Sequence, residues 1–378
     1  MNKAAFITGS TGVIGNNLAG RLAMAGQPLV LTLRTHTQLD ELGQRRTAAL
    51  DLLTASYNNL ITTIEYPSML QREAIDATRA HLKDCVALYH LGGWVGHKIS
   101  EEALPGAFAS NVLWTGALAK LSAEARVQRF IFASTRAVYD FVPREPGVSL
   151  TVNEQTAINL PLDLNDWKDK ALLAFNGYLE GFLTGRDTQT PEDFAKDYLA
   201  KNTLPNVPKN LWYPLTKLMG EEITSSLWDN GVEGISLRLK PVFGPSPVEQ
   251  YNRTVPRTIK RLLETGKETA WPESCGYLYL EDLIYALEAL SHEDLSIPPK
   301  TKVILLGYNK QNISQLDLFN VIAALLNPEF TVDLKSDANA REDEIFDSNL
   351  AAKILGLNYT GFGDVLRTTV GHFKEKIR

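Results

Sequence analysis

Eight residues near the start constrain this chain more than any others. Thr8-Gly9-Ser10-Thr11-Gly12-Val13-Ile14-Gly15 follows the apolar run Ala4 to Thr8 and leads into a stretch with Leu18 and Leu22 at helical spacing. Glycines between a strand and a helix permit a tight turn, close approach of backbone to a pyrophosphate, and close packing of helix on strand. The helix start adds unpaired N–H groups and the positive end of its dipole. Gly9, Thr11, Gly12, Val13, Ile14 and Gly15 are therefore candidate contacts to a dinucleotide. The same residues argue for a first β-strand and against a secretory leader, because the short apolar run passes into glycines and not into a small-residue cleavage site.

A loop of this kind needs a parallel sheet behind it, and the first half of the chain has the pattern. Apolar runs at Ala4 to Thr8, Leu29 to Leu33, Leu60 to Glu65, Cys85 to Leu91, Arg129 to Ser134 and Gly234 to Leu239 alternate with amphipathic stretches, as strands covered by helices on both faces do. FIFAS and VALYHL are apolar throughout, which fits burial on both sides. After Pro241 the elements shorten, with turn signals at GPSP and GYNKQ and helical patterns near Arg253 to Thr265, Asp282 to Leu290, Ser314 to Leu326 and Phe362 to Lys374. The expected class is α/β: a Rossmann-type doubly wound parallel sheet with a smaller C-terminal α/β substrate lobe and a helical insertion. Residues 1–240 with 276–306 are expected to form the dinucleotide-binding domain, and 241–275 with 307–378 the substrate-binding lobe.

The insertion is expected over residues 158–210. Trp167, Ala171, Phe175, Leu179 and Phe182 recur at spacings of four and three, and Thr190-Pro191-Glu192-Asp193 combines an N-cap, an N1 proline and an acidic first turn. Two helices are predicted, flanked by the proline-rich NLPLDLN and NTLPNVPKN. An aromatic face of Trp167, Phe175, Tyr178 and Phe182 would either pack on its own domain or cover a substrate cleft as a lid.

Composition closes several other routes. With 44% hydrophobic and 22% charged residues, the 378-residue chain can bury a sizeable core in one or two lobes. A net charge of -6 gives no cationic face for nucleic acid or an anionic membrane, and no apolar stretch reaches the ~18 residues of a bilayer span. Cys85 and Cys275 are the only cysteines, without CxxC spacing or a Cys/His cluster. That leaves no metal site in view and fits a reducing, cytoplasmic setting.

Chemistry enters at three further places. The second strand runs into Arg34, where a carboxylate would accept the ribose 2′-OH of NAD and a cation would hold a 2′-phosphate. NADP is therefore the preferred cofactor, with NAD the alternative. Tyr213 and Lys217, four apart at the start of a predicted helix, project from one face. A tyrosine of pKa ~10 becomes a usable acid/base when an ammonium lies one turn away. FASTRAVYD at Phe132 puts Ser134 and Thr135 at the C-terminal end of a strand, where open α/β sheets bind ligands. Trp94 and His97, in the loop after the fourth strand, are candidate substrate contacts.

With these motifs in place, the chain resembles the extended short-chain dehydrogenase/reductase family, also called the NAD(P)-dependent epimerase/dehydratase family. The matching segments, in order, are TGSTGVIG at Thr8, LYHLGG at Leu88, NVLWT at Asn111, FASTRAVYD at Phe132, YPLTKLMGE at Tyr213, LRLKPVFGP at Leu237 and YLYLEDL at Tyr277. The resemblance implies an oxidoreductase or epimerase that moves hydride between a nicotinamide and a carbonyl or alcohol carbon. Its substrate would be small or sugar-like, with a nucleotide sugar as one candidate class and a homodimer as one candidate assembly. It assigns acid/base work to Tyr213, tuning and ribose contact to Lys217, carbonyl polarisation to Thr135, and a supporting site role to Asn111. Leu91, Gly92, Gly93, Pro241 and Val242 would join the cofactor site, and Arg136 the substrate site.

The sequence departs from the family pattern in several places, with consequences for packing and for the substrate. Trp114 stands where glycine is usual, and Cys275-Gly276 replaces the customary diphosphate-binding arginine. Arg136-Ala137 stands where nucleotide-sugar 4,6-dehydratases resembling this chain carry Asp-Glu, which argues against dehydration.

Overall fold

Strands buried on both faces need no polar alternation, and the apolar runs do become the central sheet. The computed structural model describes residues 3–34, 41–96, 99–145, 148–248, 251, 253–309, 311–335 and 344–377; the side chains of Arg34 and residues 41–43 are not among them. Its strands are β1 (Ala4–Thr8), β2 (Leu29–Arg34), β3 (Ile61–Tyr66), β4 (Cys85–His90), β5 (Arg129–Thr135), the short β6 (Leu150–Val152) and β7 (Glu233–Leu239). Its helices up to β7 are α1 (Val13–Met24), α2 (Glu41–Ser56), α3 (Arg72–Leu82), α4 (Leu104–Phe108), α5 (Trp114–Ala125), α6 (Leu162–Thr184), α7 (Pro191–Lys201) and α8 (Trp212–Ser225).

The seven-stranded sheet begins with Val303–Leu306 and continues β7-β5-β4-β1-β2-β3. Pairing is parallel for β1 with β2 and β4, β2 with β3, and β4 with β5. The chain's direction of travel across the sheet reverses beside β1, so the ends of β1 and β4 border the crevice of a doubly wound fold. Thr8 and His90 are opposite each other there. Val303–Leu306, too short to show a period, is the sheet strand that the pattern of apolar runs did not mark.

The chain divides into two compact units. The first comprises Met1–Val142, Ala157–Arg238 and Leu290–Ile304; the second comprises Pro143–Thr156, Leu239–Ala289 and Leu305–Arg378. In the second, the helices Thr254–Thr265, Gln315–Leu326 and Phe362–Ile377 surround a core containing Phe243, Ile259, Ile322 and Phe373. Lys240 is buried there over the Phe346 ring and pairs with Glu344, which Arg144 also meets.

In the first unit the insertion forms α6 and α7, and Thr190 caps α7 by accepting from the Asp193 N–H. The aromatic face is spent inside. Trp167, Phe175, Tyr178 and Phe182 are all buried and share one core with Phe108, Trp212 and the inner residues of α5. Tyr178 stacks on Phe194 of α7 at 4.0 Å, and its hydroxyl donates to the Gln189 carbonyl. These rings therefore present no face that could close over a cleft. Packing on their own unit is what the structure contains, because four large rings gain more by leaving water than a lid would retain.

Candidate active site

The glycine loop is built from missing side chains. Gly9 has φ +70°, and a Cβ there would lie 2.6 Å from the Gly92 nitrogen; a Cβ on Gly15 would lie 2.3 Å from the Gly9 oxygen. Backbone thus crosses backbone, as a cradle for a pyrophosphate requires. Ser10 anchors the loop by donating to the Thr32 carbonyl at 2.7 Å. Gly12 starts α1 without a capping side chain, and no acid lies in the first turn. Thr11, Gly12, Val13 and Ile14 are half-buried, so this end of α1 keeps donors for an anion.

Beneath the loop runs a continuous chain of hydrogen bonds. The Gly92 N–H donates to Thr8 Oγ1 at 3.2 Å, Thr8 Oγ1 lies 2.8 Å from His90 Nδ1, and His90 Nε2 lies 3.0 Å from Thr115 Oγ1. Thr115 in turn donates to the Asn111 carbonyl at 2.7 Å. Each hydroxyl has one proton. Thr115, its proton spent on the Asn111 carbonyl, therefore accepts from His90 Nε2–H, and in a neutral imidazole Nδ1 then carries no proton and accepts from the Thr8 hydroxyl. Burial, reinforced by the charge of Lys217, pushes its pKa down to about 3. His90 is a satisfied core residue, and Trp114 packs edge-on against it at 6.5 Å. The bulk of Trp114 is accommodated there, buried within α5.

Asn111 sits in a π turn, Ala109–Leu113, between α4 and α5. Such turns reorient a side chain without ending the helix. Its Oδ1 accepts from the Trp94 N–H at 2.7 Å, and its Nδ2 donates to the Trp94 carbonyl at 3.2 Å and to Thr216 Oγ1 at 3.0 Å. Asn111 thereby ties the exit of β4 to α8. A Cβ on Gly93 would lie 2.7 Å from Asn111 Oδ1 and 3.4 Å from Lys217 Nζ, so Gly93 is where the three segments meet. Trp94, its backbone held at both ends, is 38% exposed.

The third wall is the end of β5 against α8. Lys217 Nζ donates to the Ala133 carbonyl at 2.9 Å and lies 4.7 Å over the Phe132 ring. Burial lowers its pKa to about 8, with Glu221 opposing the shift, so it is an ammonium at neutral pH. Tyr213 is half-buried one turn earlier. Thr135, the last residue of β5, accepts from the Ala137 N–H at 3.1 Å, which leaves its hydroxyl proton for another acceptor. Arg136 faces Asp140 at 3.5 Å.

One part of this wall escaped the reading of motifs. Glu221 extends the 213, 217 spacing by another four residues. It receives Ser134 Oγ at 2.5 Å and both Nε and Nη2 of Arg238, while Arg238 Nη1 donates to the Tyr139 hydroxyl at 2.9 Å. All four residues are buried. The repeat of four was the available signal, but only the fold brings Arg238 to it.

Leu91 and Gly92 are half-buried at the mouth of β4. Arg34 ends β2 opposite Tyr66, but its side chain, like His97, lies outside the described residues. Pro241 and Val242 belong to the second unit, where Val242 pairs with Leu278.

This combination of a glycine cradle at the β1/β4 crevice and a tyrosine–lysine helix against β5 defines a dinucleotide-dependent α/β enzyme. The chain belongs to the NAD dependent epimerase/dehydratase family, whose model matches residues 5–161 and 187–304. It is thus an NAD(P)-dependent enzyme of the short-chain dehydrogenase/reductase or epimerase kind. The unmatched residues between the two stretches are α6 and the two residues after it. Among solved structures it is similar to a Bacillus cereus UDP-glucuronic acid 4-epimerase in complex with NAD, with 19% identity over 98% of this chain and 96% of that one and a TM-score of 0.67. It is similar also to a Thermotoga maritima UDP-glucose 4-epimerase with UDP-glucose, with 16% identity, coverage of 99% and 100%, and a TM-score of 0.67. A third, an NAD-dependent NDP-hexosamine 5,6-dehydratase of tunicamycin biosynthesis, has 17% identity, coverage of 99% and 98%, and a TM-score of 0.65. No curated protein sequence matches the chain. Among the described residues no helix is long and apolar enough to cross a membrane.

Proposed function

We propose that the first unit binds NAD(P) and transfers hydride at a carbonyl or alcohol carbon of a small, sugar-like substrate, with a nucleotide sugar as the favoured class and the second unit supplying the substrate lobe. The observation that carries this reading is the buried Lys217 ammonium, fixed on the Ala133 carbonyl one helical turn from Tyr213 and beside the strand end that presents Thr135. The glycine turn fits a dinucleotide, since the absence of a Cβ at Gly9 and Gly15 lets backbone pass against backbone and leaves the N-terminus of α1, which no side chain caps, at the crevice. Gly9, Thr11, Gly12, Val13, Ile14 and Gly15 would hold its pyrophosphate, and Leu91, Gly92, Gly93 and Lys217 its nicotinamide half. When bound, the cofactor supplies or accepts the hydride.

The remaining chemistry belongs to the chain. Thr135 donates its free proton to the substrate oxygen and orients it. Tyr213 gives that oxygen a proton during reduction and takes one during oxidation, its phenolate favoured by the Lys217 charge. Asn111 keeps Trp94 and α8 in register, so that the Trp94 ring forms a fixed wall toward the substrate. NADP is the preferred cofactor on the ground of Arg34 following β2. An epimerase that performs the same hydride transfer twice on retained NAD is the second reading, favoured by the fold it shares with the two UDP-sugar 4-epimerases. NAD carried through purification would decide for it, and freely exchanging NADPH against it.

Thermal protection by UDP-glucose, UDP-glucuronic acid and simple ketones identifies the substrate class. On the substrate so found, Tyr213→Phe is expected to lower turnover by roughly 10²-fold with cofactor affinity little changed. Undiminished turnover in that variant would move the proton to another group.

A further inference from the structure

The start of α8 is weakly specified by its own sequence. Leu211 offers no capping side chain, and the first turn holds no acid. Packing supplies what the local sequence lacks. Trp212, the first residue of the helix, lies 5.8 Å from the Trp167 ring and 6.1 Å from Phe108, and those two rings are 5.8 Å apart, all three pairs edge-on. Farther along α8, Glu222 receives the buried ammonium of Lys168. Adjacent residues of α6 thus hold α8 at two points nearly three turns apart. α6 is also set closely against α5, where a Cβ on Gly116 would lie 2.6 Å from Leu179 Cδ1.

We infer that α6, the helix outside the family model, braces the Tyr213 helix: Trp167 and Lys168 are positioning residues that fix where α8 begins and how it is rotated, and so where the hydroxyl next to Trp212 points. The inference rests on the acid/base reading of Tyr213. A helix whose first residue is free to shift by about 1 Å carries its second residue with it, and a displacement of that size at a reacting group costs up to roughly 10²-fold in rate.

The test uses the full chain saturated with NADP+, or with NAD+ where that binds more tightly. Ionisation of Tyr213 is followed as the near-ultraviolet difference between each protein and the same protein carrying Tyr213→Phe, alongside the cofactor dissociation constant and turnover with UDP-glucose and UDP-glucuronic acid as probes. In Trp167→Ala the Tyr213 titration is expected to move to higher pH and turnover to fall roughly 10- to 100-fold, with cofactor affinity within about twofold. Trp167→Phe, which keeps a ring in the triangle, should restore both. A lower melting temperature with the titration and turnover unchanged would overturn the brace and leave α6 as filler. If Trp167→Ala does not fold, Lys168→Met is read in the same way. If neither probe turns over, the titration decides, since it needs only cofactor. If Tyr213→Phe removes no titration near neutral pH, the acid/base reading has failed. The brace is then decided by amide exchange in the first turn of α8, which should be faster in Trp167→Ala than in Trp167→Phe and, if equal in both, sinks it.

Discussion

The glycine loop and the insertion belong to the same unit and reach a defined position by opposite means. Around Gly9 and Gly15 the chain is held by absence: backbone touches backbone, and a single added carbon would lie 2.3 to 2.6 Å from its neighbours. Around Trp167, Phe175 and Tyr178 it is held by bulk, with rings meeting edge-on or stacked in a shared core. A loop of the first kind has little apolar area to contribute and much precision to lose. A pair of helices of the second kind contributes stability, and contributes to function only through what it pushes against. Changes in the loop should therefore be read in cofactor affinity, and changes in the insertion in folding and, where α6 presses on α8, in turnover, with cofactor affinity kept.

The largest expected effect tests the second half of that contrast. Phe175→Ala removes a ring that is 2% exposed and should cost about 3 to 5 kcal/mol in denaturant unfolding, with cofactor affinity of the folded protein nearly intact. A changed dissociation constant with intact stability would break the comparison. Next comes Gly15→Ala, where no rotamer can relieve a contact with backbone. About 1 to 3 kcal/mol of overpacking should appear as a roughly 10- to 100-fold loss of dinucleotide affinity by titration.

An effect spread over pH, smaller at each unit, sharpens the contrast, because the loop rests on a group whose charge changes in the acid range and the tyrosines of the aromatic core are pushed the other way. The folded pKa of His90 is about 3 against 6.5 for a free imidazole. Between those values the unfolded chain binds a proton that the folded one refuses. The stability is thus complete above about pH 6.5 and falls as pH drops toward 3, by about 1.4 kcal/mol per unit inside the window. Nitrogen NMR should find His90 neutral and protonated on Nε2 at about pH 5; an imidazolium there would contradict the hydrogen-bond chain beneath the loop. The smallest effect concerns the cofactor's far end. NADPH should bind at least several-fold more tightly than NADH, a difference of about 1 kcal/mol, and Arg34→Ala should remove most of that preference. Equal affinities in the unaltered protein would remove the ground for favouring NADP.

How far the sequence could be read depended on whether a residue's partner was near in the chain. TGSTGVIG could be placed because its strand, turn and helix are contiguous, and Tyr213 with Lys217 because one helical turn relates them. Thr190 was readable as a cap for the same reason. Glu221 was visible as the next step of four, but not its bonds to Ser134 and Arg238, which come from β5 and β7. The π turn at Asn111 had no local signature, since an extra residue in a helix changes no apolar period over so short a stretch.

By itself, then, the sequence determined the α/β class, most of the runs that form the sheet, the glycine turn and the tyrosine–lysine spacing, because each is set by backbone geometry and short-range periodicity. Tertiary structure alone decided that His90 is neutral and structural, that Trp114 has room, and that the aromatic stripe of α6 turns inward to Trp212 and not outward to a cleft. The reason is physical: an amphipathic helix specifies which of its faces must leave water, but what that face leaves water against depends on surfaces that only the folded chain assembles.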